Sequence, residues 1–488
     1  MHLKIHRGPD SDIYSINLKP SATIYIMGVC GTAMSSLAGL LKKMGYNVRG
    51  SDNHFYPPVS EELKKMGIFT IHGYKAENIH SGLDLVIVGN VISRNMPEAQ
   101  ALLKSGLPYI SLPSALNSFI IGTKTGVMIC GTHGKTTVSC LSAWVLQECG
   151  LNPGFMIGGV AENFDRSFHL NDSHWFVLEG DEYDTAFFEK TPKCIHYNAT
   201  YTLLNNIEFD HADIYQDIKE VERAFRLLME KKVSPASCLI AGIDSPLVEK
   251  LISFTKQKVI TYGLKKGDWR LLDRTILSEG RGQILQIRNP DQSITEIQTS
   301  LHGEYNGLNV LAVWSLVCLL KLDQKKALSA FRSFLGVRRR FQVLGEFSGI
   351  TLVEDFAHHP TAVRSVLQSA GEIYPGRRII ALFEPRSNTS RRNIFQKDYE
   401  NALSLADCVF CMEAYDTSRI SEQERFSSRQ LVDNLHQKGH SAFYANSIKD
   451  MTLIIQKQVM EGDVIIIMSN GDFGGIYSLL QEAFSPHP

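Results

Sequence analysis

Apolar and polar positions along the chain fall into three successive blocks, in each of which a short apolar run leads into a turn and a helix-like pattern. In the first, Ile24 to Met27 predicts a strand and Ala33 to Met44 a helix, with "LDLVIVGNVI" at 83–92 as a second buried strand. Such runs point to a parallel sheet covered by helices. Residues 111–126, "SLPSALNSFIIGTKTG", are turn-rich and weakly periodic, and read as a separator. The second block opens on "VMICGTHGKTTVSCLSAWVLQECG". It carries strands in "WFVLEGDEYD" and "IHYNATYTLLNNIEFDH" and ends in a helix-like run around 307–320. From about 337, strands in "ITLVEDFAHHP", "RRIIALFEP" and "DVIIIMSNG" alternate with helix-like stretches such as "TAVRSVLQSAGEIY". The expectation is an α/β chain of three domains in series, 1–118, 119–336 and 337–488.

Composition narrows this picture without redirecting it. At 488 residues, 44% hydrophobic and 21% charged, the chain suits a globular protein of several domains. The net charge of -1 lacks the basic footprint of a general nucleic-acid binder, and "RRR" at 338–340 is a small local patch. The longest apolar stretch, 308–320, is too short to span a bilayer and reads as a buried helix. The amino terminus lacks a secretion-signal pattern and the nine cysteines form no framework, so a cytoplasmic protein is expected. Cys408 and Cys411 have metal-like spacing, but on a strand residues three apart face opposite ways, and no second pair completes four ligands.

The chemistry gathers at the ends of the apolar runs. In "GTHGKTT", Gly131 and Gly134 permit a tight turn, and the following helix offers its amide-rich end to phosphate. Lys135 would neutralise β- and γ-phosphates and the Thr136 hydroxyl would ligate Mg²⁺. The usual phosphate-loop spacing needs a glycine where this chain has Ile129, so the loop is shorter. "EGDEYD" places Glu179, Asp181, Glu182 and Asp184 after a strand, where hard oxygen donors suit Mg²⁺. "NNIEFDHAD" sets His211 among acids, with Asp210 and Asp213 able to orient its ring. "GVCGTAM" at 28–34 resembles a dinucleotide-type phosphate turn, with Asp52 ending the next strand where an acid can meet a ribose or base. It lacks the G-x-G start, which disfavours a nicotinamide cofactor.

Taken in order, "GTHGKTT", "EGDEYD", "NNIEFDHADIY", "GEYNGLN", "GVRRRF" and "DFAHHP" resemble the Mur ligase family, whose members use ATP to attach amino acids or peptides to UDP-N-acetylmuramate. The resemblance spans essentially the whole chain. It implies a Rossmann-like first domain for the UDP-sugar, a central P-loop ATPase-like domain for ATP, and a Rossmann-like third domain contacting peptide and ATP. ATP and Mg²⁺ are the implied cofactors, with ATP held by Gly131, Thr132, His133, Gly134, Lys135, Thr136 and Thr137, and by Asn306, Asn309, Arg340 and Asp355. Glu179 or Glu182 would hold the first metal with Thr136, and His211 the second. Lys135, Glu179, His211 and His358 would be catalytic. Gly28, Cys30, Gly31, Thr32, Ala33 and Asp52 would bind the UDP-sugar, and Arg386, Ser387 and Asn388 the peptide. "FEPRSNTS", "EGDEYDTAFF" and "MSNGDFGGIY" point to the tripeptide L-alanyl-γ-D-glutamyl-meso-diaminopimelate as acceptor, with L-alanine the alternative. Tyr305 stands where many members have histidine, so no contact carries over there; some members also use a carbamylated lysine, and Lys219 lies in that region without a secure alignment to it.

Overall fold

A computed structural model describes residues 2–8, 13–55, 59–231, 234–277 and 280–485, which divide into two compact units. The first comprises Met1–Glu208, Ile218–Asp268 and Ala312–Ala330; the second comprises Phe209–Asp217, Trp269–Leu311 and Phe331–Pro488. The division falls inside the helix Glu304–Leu319.

The first unit is built on two sets of strands. One is a sheet ordered Ile13–Asn17, His2–His6, Tyr109–Ser111, Leu85–Val88, Thr23–Met27, Asn47–Asp52 and Phe69–His72. Its last five strands run parallel, and the two amino-terminal strands add an antiparallel hairpin at the edge. The second set is ordered Arg166–His169, Gly154–Ala161, Trp175–Gly180, Thr125–Cys130, Tyr201–Leu204, Cys238–Gly242 and Lys258–Gly263, parallel except for its first pair. The helix Ile218–Glu230 buries Val221, Ala224, Phe225, Leu228 and Met229. That spacing makes one apolar stripe and leaves its charged residues to solvent.

The second unit contains a six-stranded sheet ordered Gln342–Phe347, Ile350–Asp355, Val464–Met468, Ile379–Phe383, Cys408–Met412 and Ser441–Ala445. Only its first pair is antiparallel. Successive residues of the central strands alternate between two cores: Ile379, Ala381 and Phe383 enter one, Ile380 and Leu382 the other. Both faces are covered by helices, which is why these strands read as unbroken apolar runs. Cys408 and Cys411 lie in different cores, as strand geometry requires, and cannot share an ion.

Three features depart from the pattern read in the sequence. The separator at 111–126 contains a helix, Leu112–Phe119, capped by Ser111, whose hydroxyl accepts from Ser114 N–H, with Pro113 in the first turn. Of the run "IHYNATYTLLNNIEFDH", only Tyr201–Leu204 is a strand, preceded by a helical turn at Lys193–His196. Three antiparallel strands, Trp269–Ile276, Gln283–Arg288 and Ile294–Thr299, were not anticipated. Among the described residues no helix is long and apolar enough to cross a membrane.

Candidate active site

The strand Thr125–Cys130 ends in the glycine turn, and the helix Lys135–Glu148 begins at once behind it. Gly131 (φ +122°) and Gly134 (φ +83°) take backbone conformations that side chains resist. A Cβ on Gly131 would stand 2.7 Å from the carbonyl oxygen of Asn206. Gly134 is the N-cap and supplies no capping side chain, so the helix end is left for an external acceptor. Lys135 Nζ donates to Gly131 O at 2.6 Å and to both oxygens of Glu182 at 2.9 and 2.8 Å. Burial pulls the ammonium down, but Glu182, Asp181 and Glu179 outweigh it and hold its pKa above lysine's ordinary value. Lys135 is therefore a fixed cation seated in the loop, half-buried with Thr132, His133 and Thr136; Thr137 is buried.

Two asparagines that the motif reading passed over brace this loop. Thr132 N–H donates to Asn206 O at 2.9 Å and His133 N–H to Asn206 Oδ1 at 2.8 Å. The side-chain amides of Asn205 and Asn206 return hydrogen bonds to His133 O. Glu208 N–H donates to Thr132 Oγ1 at 2.9 Å, and its carboxylate lies 3.3 Å from His133 Nε2. The signal was present in "NNIE", directly after a strand that pairs in parallel with Thr125–Cys130.

The acids after Trp175–Gly180 take separate tasks. Glu182 is buried and anchors Lys135, while Glu179 accepts from Gly158 N–H at 2.8 Å. Asp181 pairs with Lys193 at 2.7 Å and accepts from Tyr183 N–H.

The other glycine turn of this unit follows Thr23–Met27. Gly28 (φ +83°) and Val29 donate their N–H groups to Ser51 O at 2.9 and 3.0 Å. Asp52 Oδ2 accepts from Cys30 N–H at 2.9 Å, and Asp52 Oδ1 from Asn53 N–H at 2.7 Å and Tyr74 Oη at 3.2 Å. The carboxylate expected to meet a ribose or base is thus already engaged in tying the turn together. Burial, then Asp52, pushes the Cys30 thiol up to about 12. Gly31, exposed, is an N-cap without a capping side chain, and Thr32 and Ala33 open the helix Thr32–Lys43.

In the second unit, the segment Phe209–Asp217 is held by residues far along the chain. Asp210 accepts from Thr389 Oγ1 at 2.7 Å and from His211 N–H at 2.7 Å, and lies 3.9 Å from His358 Nε2. Ala212 N–H donates to Thr389 Oγ1, and Asn388 Nδ2 to Asp213 at 2.8 Å. Burial raises the Asp210 carboxyl, but His211, His358, His359 and the Thr389 hydroxyl pull it well below the carboxylate range. His211 itself sits at φ +58°. His359 caps the helix Pro360–Ile373: Nδ1 accepts from Thr361 N–H, and Nε2 donates to Phe209 O. His358 Nδ1 lies 2.9 Å from Phe356 O, and its Nε2 faces Asp210.

The remaining candidates are also braced internally. Asn309 Nδ2 donates to Asn306 Oδ1 at 2.9 Å, and Asn306 Nδ2 to His302 O at 2.8 Å. Asp355 is buried, accepts from Phe341 N–H and Ala357 N–H at 2.7 Å each, and has its carboxyl raised by burial. Arg340 stacks on Phe356, whereas Arg339 binds Glu354 at 2.6 Å and the carbonyls of Ser469 and Gly471; Arg338 is exposed. Arg386 pairs with Asp472 at 2.7 Å and lies over the Tyr415 ring. Ser387 bonds Ser390 at 2.9 Å, and Arg391 donates to Asn388 Oδ1. Lys219 is exposed.

A strand, glycine turn and helix holding a captive lysine, set in an α/β chain, is a framework that the comparisons with known proteins place among ATP-dependent ligases. The chain belongs to the Mur ligase family: residues 23–123 match the model of the Mur ligase family catalytic domain, 129–317 the Mur ligase middle domain, and 339–471 the Mur ligase glutamate ligase domain. It is 36% identical over 95% of its length to a UDP-N-acetylmuramate:L-alanyl-gamma-D-glutamyl-meso-2,6-diaminoheptandioate ligase of Escherichia coli K12, covering 98% of that protein. A UDP-N-acetylmuramate:L-alanine ligase of Agathobacter rectalis is 29% identical over 94% of the chain and 98% of the relative. Among solved structures, a murein peptide ligase from Psychrobacter arcticus superposes with a TM-score of 0.70 at 30% identity, over 96% of this chain and 99% of that one.

Proposed function

We propose that the protein joins L-alanyl-γ-D-glutamyl-meso-diaminopimelate to UDP-N-acetylmuramate through an amide bond, consuming ATP. The observation that carries the phosphoryl-transfer half is Lys135, seated by Gly131 O and Glu182 at an uncapped helix end. The peptide acceptor is supported by the greater identity to the tripeptide ligase, 36% against 29% for the alanine ligase, at similar coverage. Residues 1–118 take the UDP-sugar on the Gly28–Ala33 turn, 119–336 take ATP, and 337–488 take the peptide and contact ATP.

The loop 131–137 holds the ATP phosphates through its amides, and Lys135 balances the charge that spreads over the transferring oxygens. Hard oxygens suit Mg²⁺, and Thr136 with Glu179 or Glu182 would hold it, with His211 assigned to a second ion; when bound, the metal neutralises phosphate oxygens. Asn306, Asn309, Arg340 and Asp355 are assigned to the rest of the nucleotide. A carboxylate oxygen of the sugar's lactyl group attacks the γ-phosphorus and ADP leaves. The L-alanyl amine then attacks the acyl carbon, inorganic phosphate departs, and the amine gives up a proton. His358 is assigned as the acceptor, with Asp210, 3.9 Å from its Nε2, able to stabilise the imidazolium. Arg386, Ser387 and Asn388 face the peptide, where a guanidinium can grip carboxylates bidentately.

The test offers the protein Mg-ATP and UDP-N-acetylmuramate with either L-alanine or the tripeptide, and follows phosphate release and product mass. Release and a new product are expected only with the tripeptide. Product with L-alanine alone overturns the assignment.

A further inference from the structure

Glu98 is wholly buried in the first unit and takes no part in the chemistry described above. It lies in the first turn of the helix Pro97–Ser105, whose positive end favours a carboxylate. Three neutral groups from three other elements converge on it. Tyr25 Oη, from Thr23–Met27, donates at 2.7 Å; Ser51 Oγ, from Asn47–Asp52, at 2.8 Å; and Asn78 Nδ2, from the turn Ala76–Asn78, at 2.7 Å. A buried carboxylate is expensive to desolvate, so an acid held this way implies a task that a neutral side chain would not perform.

Two of the partners of Glu98, Ser51 and Asn78, lead to the Gly28–Ala33 turn. Ser51, fixed through its hydroxyl, accepts Gly28 and Val29 N–H on its carbonyl. Asn78 donates a second time, to Gly73 O at 3.0 Å, and Gly73 N–H donates to Asp52 O at 2.8 Å. Tyr74, next to Gly73, holds the Asp52 carboxylate that in turn holds Cys30 N–H. Two routes thus run from one carboxylate to the turn, through Ser51 to Gly28 and Val29, and through Asn78, Gly73 and Asp52 to Cys30.

We infer that Glu98 is a positioning residue for the sugar-nucleotide site, fixing the Gly28–Ala33 turn from beneath through Ser51 and Asn78. The inference rests on the reading that this turn receives the UDP portion of the substrate. Glu98 touches no substrate itself. Its removal therefore acts on the affinity for the sugar nucleotide and leaves the ATP loop, held by Asn205 and Asn206, unaffected.

The test uses the full chain in calorimetric titrations with UDP-N-acetylmuramate and, separately, with Mg-ATP, for wild type, Glu98→Gln, Glu98→Ala and Asp52→Ala. Glu98→Gln keeps the shape but presents an amide where three donors point, and should weaken sugar-nucleotide binding about tenfold. Its ATP affinity should stay within about twofold of wild type, because the two loops share no partner. In steady state the loss appears in KM for UDP-N-acetylmuramate with kcat retained, a split that general destabilisation would not give. Glu98→Ala is expected to be worse than Glu98→Gln, and Glu98→Gln alone decides the matter if the alanine variant fails to fold. Unchanged sugar-nucleotide affinity in folded Glu98→Gln, with Asp52→Ala weakened, overturns the role of Glu98 and leaves the assignment of the turn standing. Unchanged affinity in both variants overturns the role together with that assignment.

Discussion

The turn after Thr23–Met27 is tied down by a carboxylate, whereas the turn after Thr125–Cys130 is tied down by two neutral amides. Both are strand, glycine turn and helix, and both helices start without a capping side chain. Asp52 places a negative charge against Cys30 N–H, which partly offsets the positive end of the helix behind the turn. Asn205 and Asn206 fix the other loop through neutral amides, and the carboxylates there meet side chains instead, Glu182 at Lys135 and Glu208 at His133. The two turns share strand, glycines and helix and differ in the side chains that bracket them.

The largest predicted effect tests the charge side of this contrast. Lys135→Met should lower kcat for ligation by about a thousandfold, since it removes the loop's own cation from the transferring phosphoryl group. Titration of the same variant with UDP-N-acetylmuramate should give wild-type affinity, and a joint loss would show that the two turns are not independent.

Next in size is a comparison of glycines. Gly131→Ala combines φ +122° with a Cβ 2.7 Å from Asn206 O, and should destabilise the protein by about 3 kcal/mol in denaturant unfolding. Gly31 has φ −63° and its nearest neighbour would be 3.5 Å away, so Gly31→Ala should change stability by less than about 0.5 kcal/mol. Equal losses would contradict the different ways in which the two turns are packed.

Removing a brace should cost less than removing the cation. Asn206→Ala deletes the acceptor of His133 N–H and one donor to His133 O, and should weaken Mg-ATP binding about tenfold, without moving the affinity for the sugar nucleotide. Calorimetry with each ligand separates the outcomes.

The smallest effect is a pH dependence. Burial raises the Glu98 carboxyl above its ordinary value, and hydrogen bonds from Tyr25, Asn78 and Ser51 only partly offset this. A group that binds its proton more tightly when folded contributes stability that is complete below its unfolded pKa, about 4.3 for glutamate, and is lost as pH rises through the higher folded value. The stability of wild type relative to Glu98→Gln should therefore improve as pH falls from neutral toward that range. A difference that is flat with pH in thermal melts would show that Glu98 keeps an ordinary carboxyl.

Much of this architecture is legible in the amino-acid sequence. Continuous apolar runs such as "IIALF" and "VIIIM" required strands buried on both faces, and the glycines before Lys135 required a tight turn. The opposite-facing cysteines 408 and 411 followed from strand geometry alone. The helix Leu112–Phe119 was missed because it is short, although Ser111 as cap and Pro113 in the first turn were its signals. The strands at 269–299 were missed because half their positions are polar, as suits a sheet with an exposed face. The braces escaped for a different reason: Asn206, Glu98 and Thr389 act on residues 73, 73 and 179 positions away, at His133, Tyr25 and Asp210, and no local pattern announces such partners.

The segment Phe209–Asp217 lies in the middle third of the chain, yet its side chains are gripped by Asn388 and Thr389. Asp210 with Thr389, and Asp213 with Asn388, therefore form two couples that evolution cannot edit one member at a time. A drift at 388 or 389 removes one of the hydrogen bonds that hold a carboxylate beside His211, so the partners should change together from one descendant to the next. A chimaera that takes its last third from a relative must import the matching residues at 210 and 213 as well, or inherit a loop that fits neither parent.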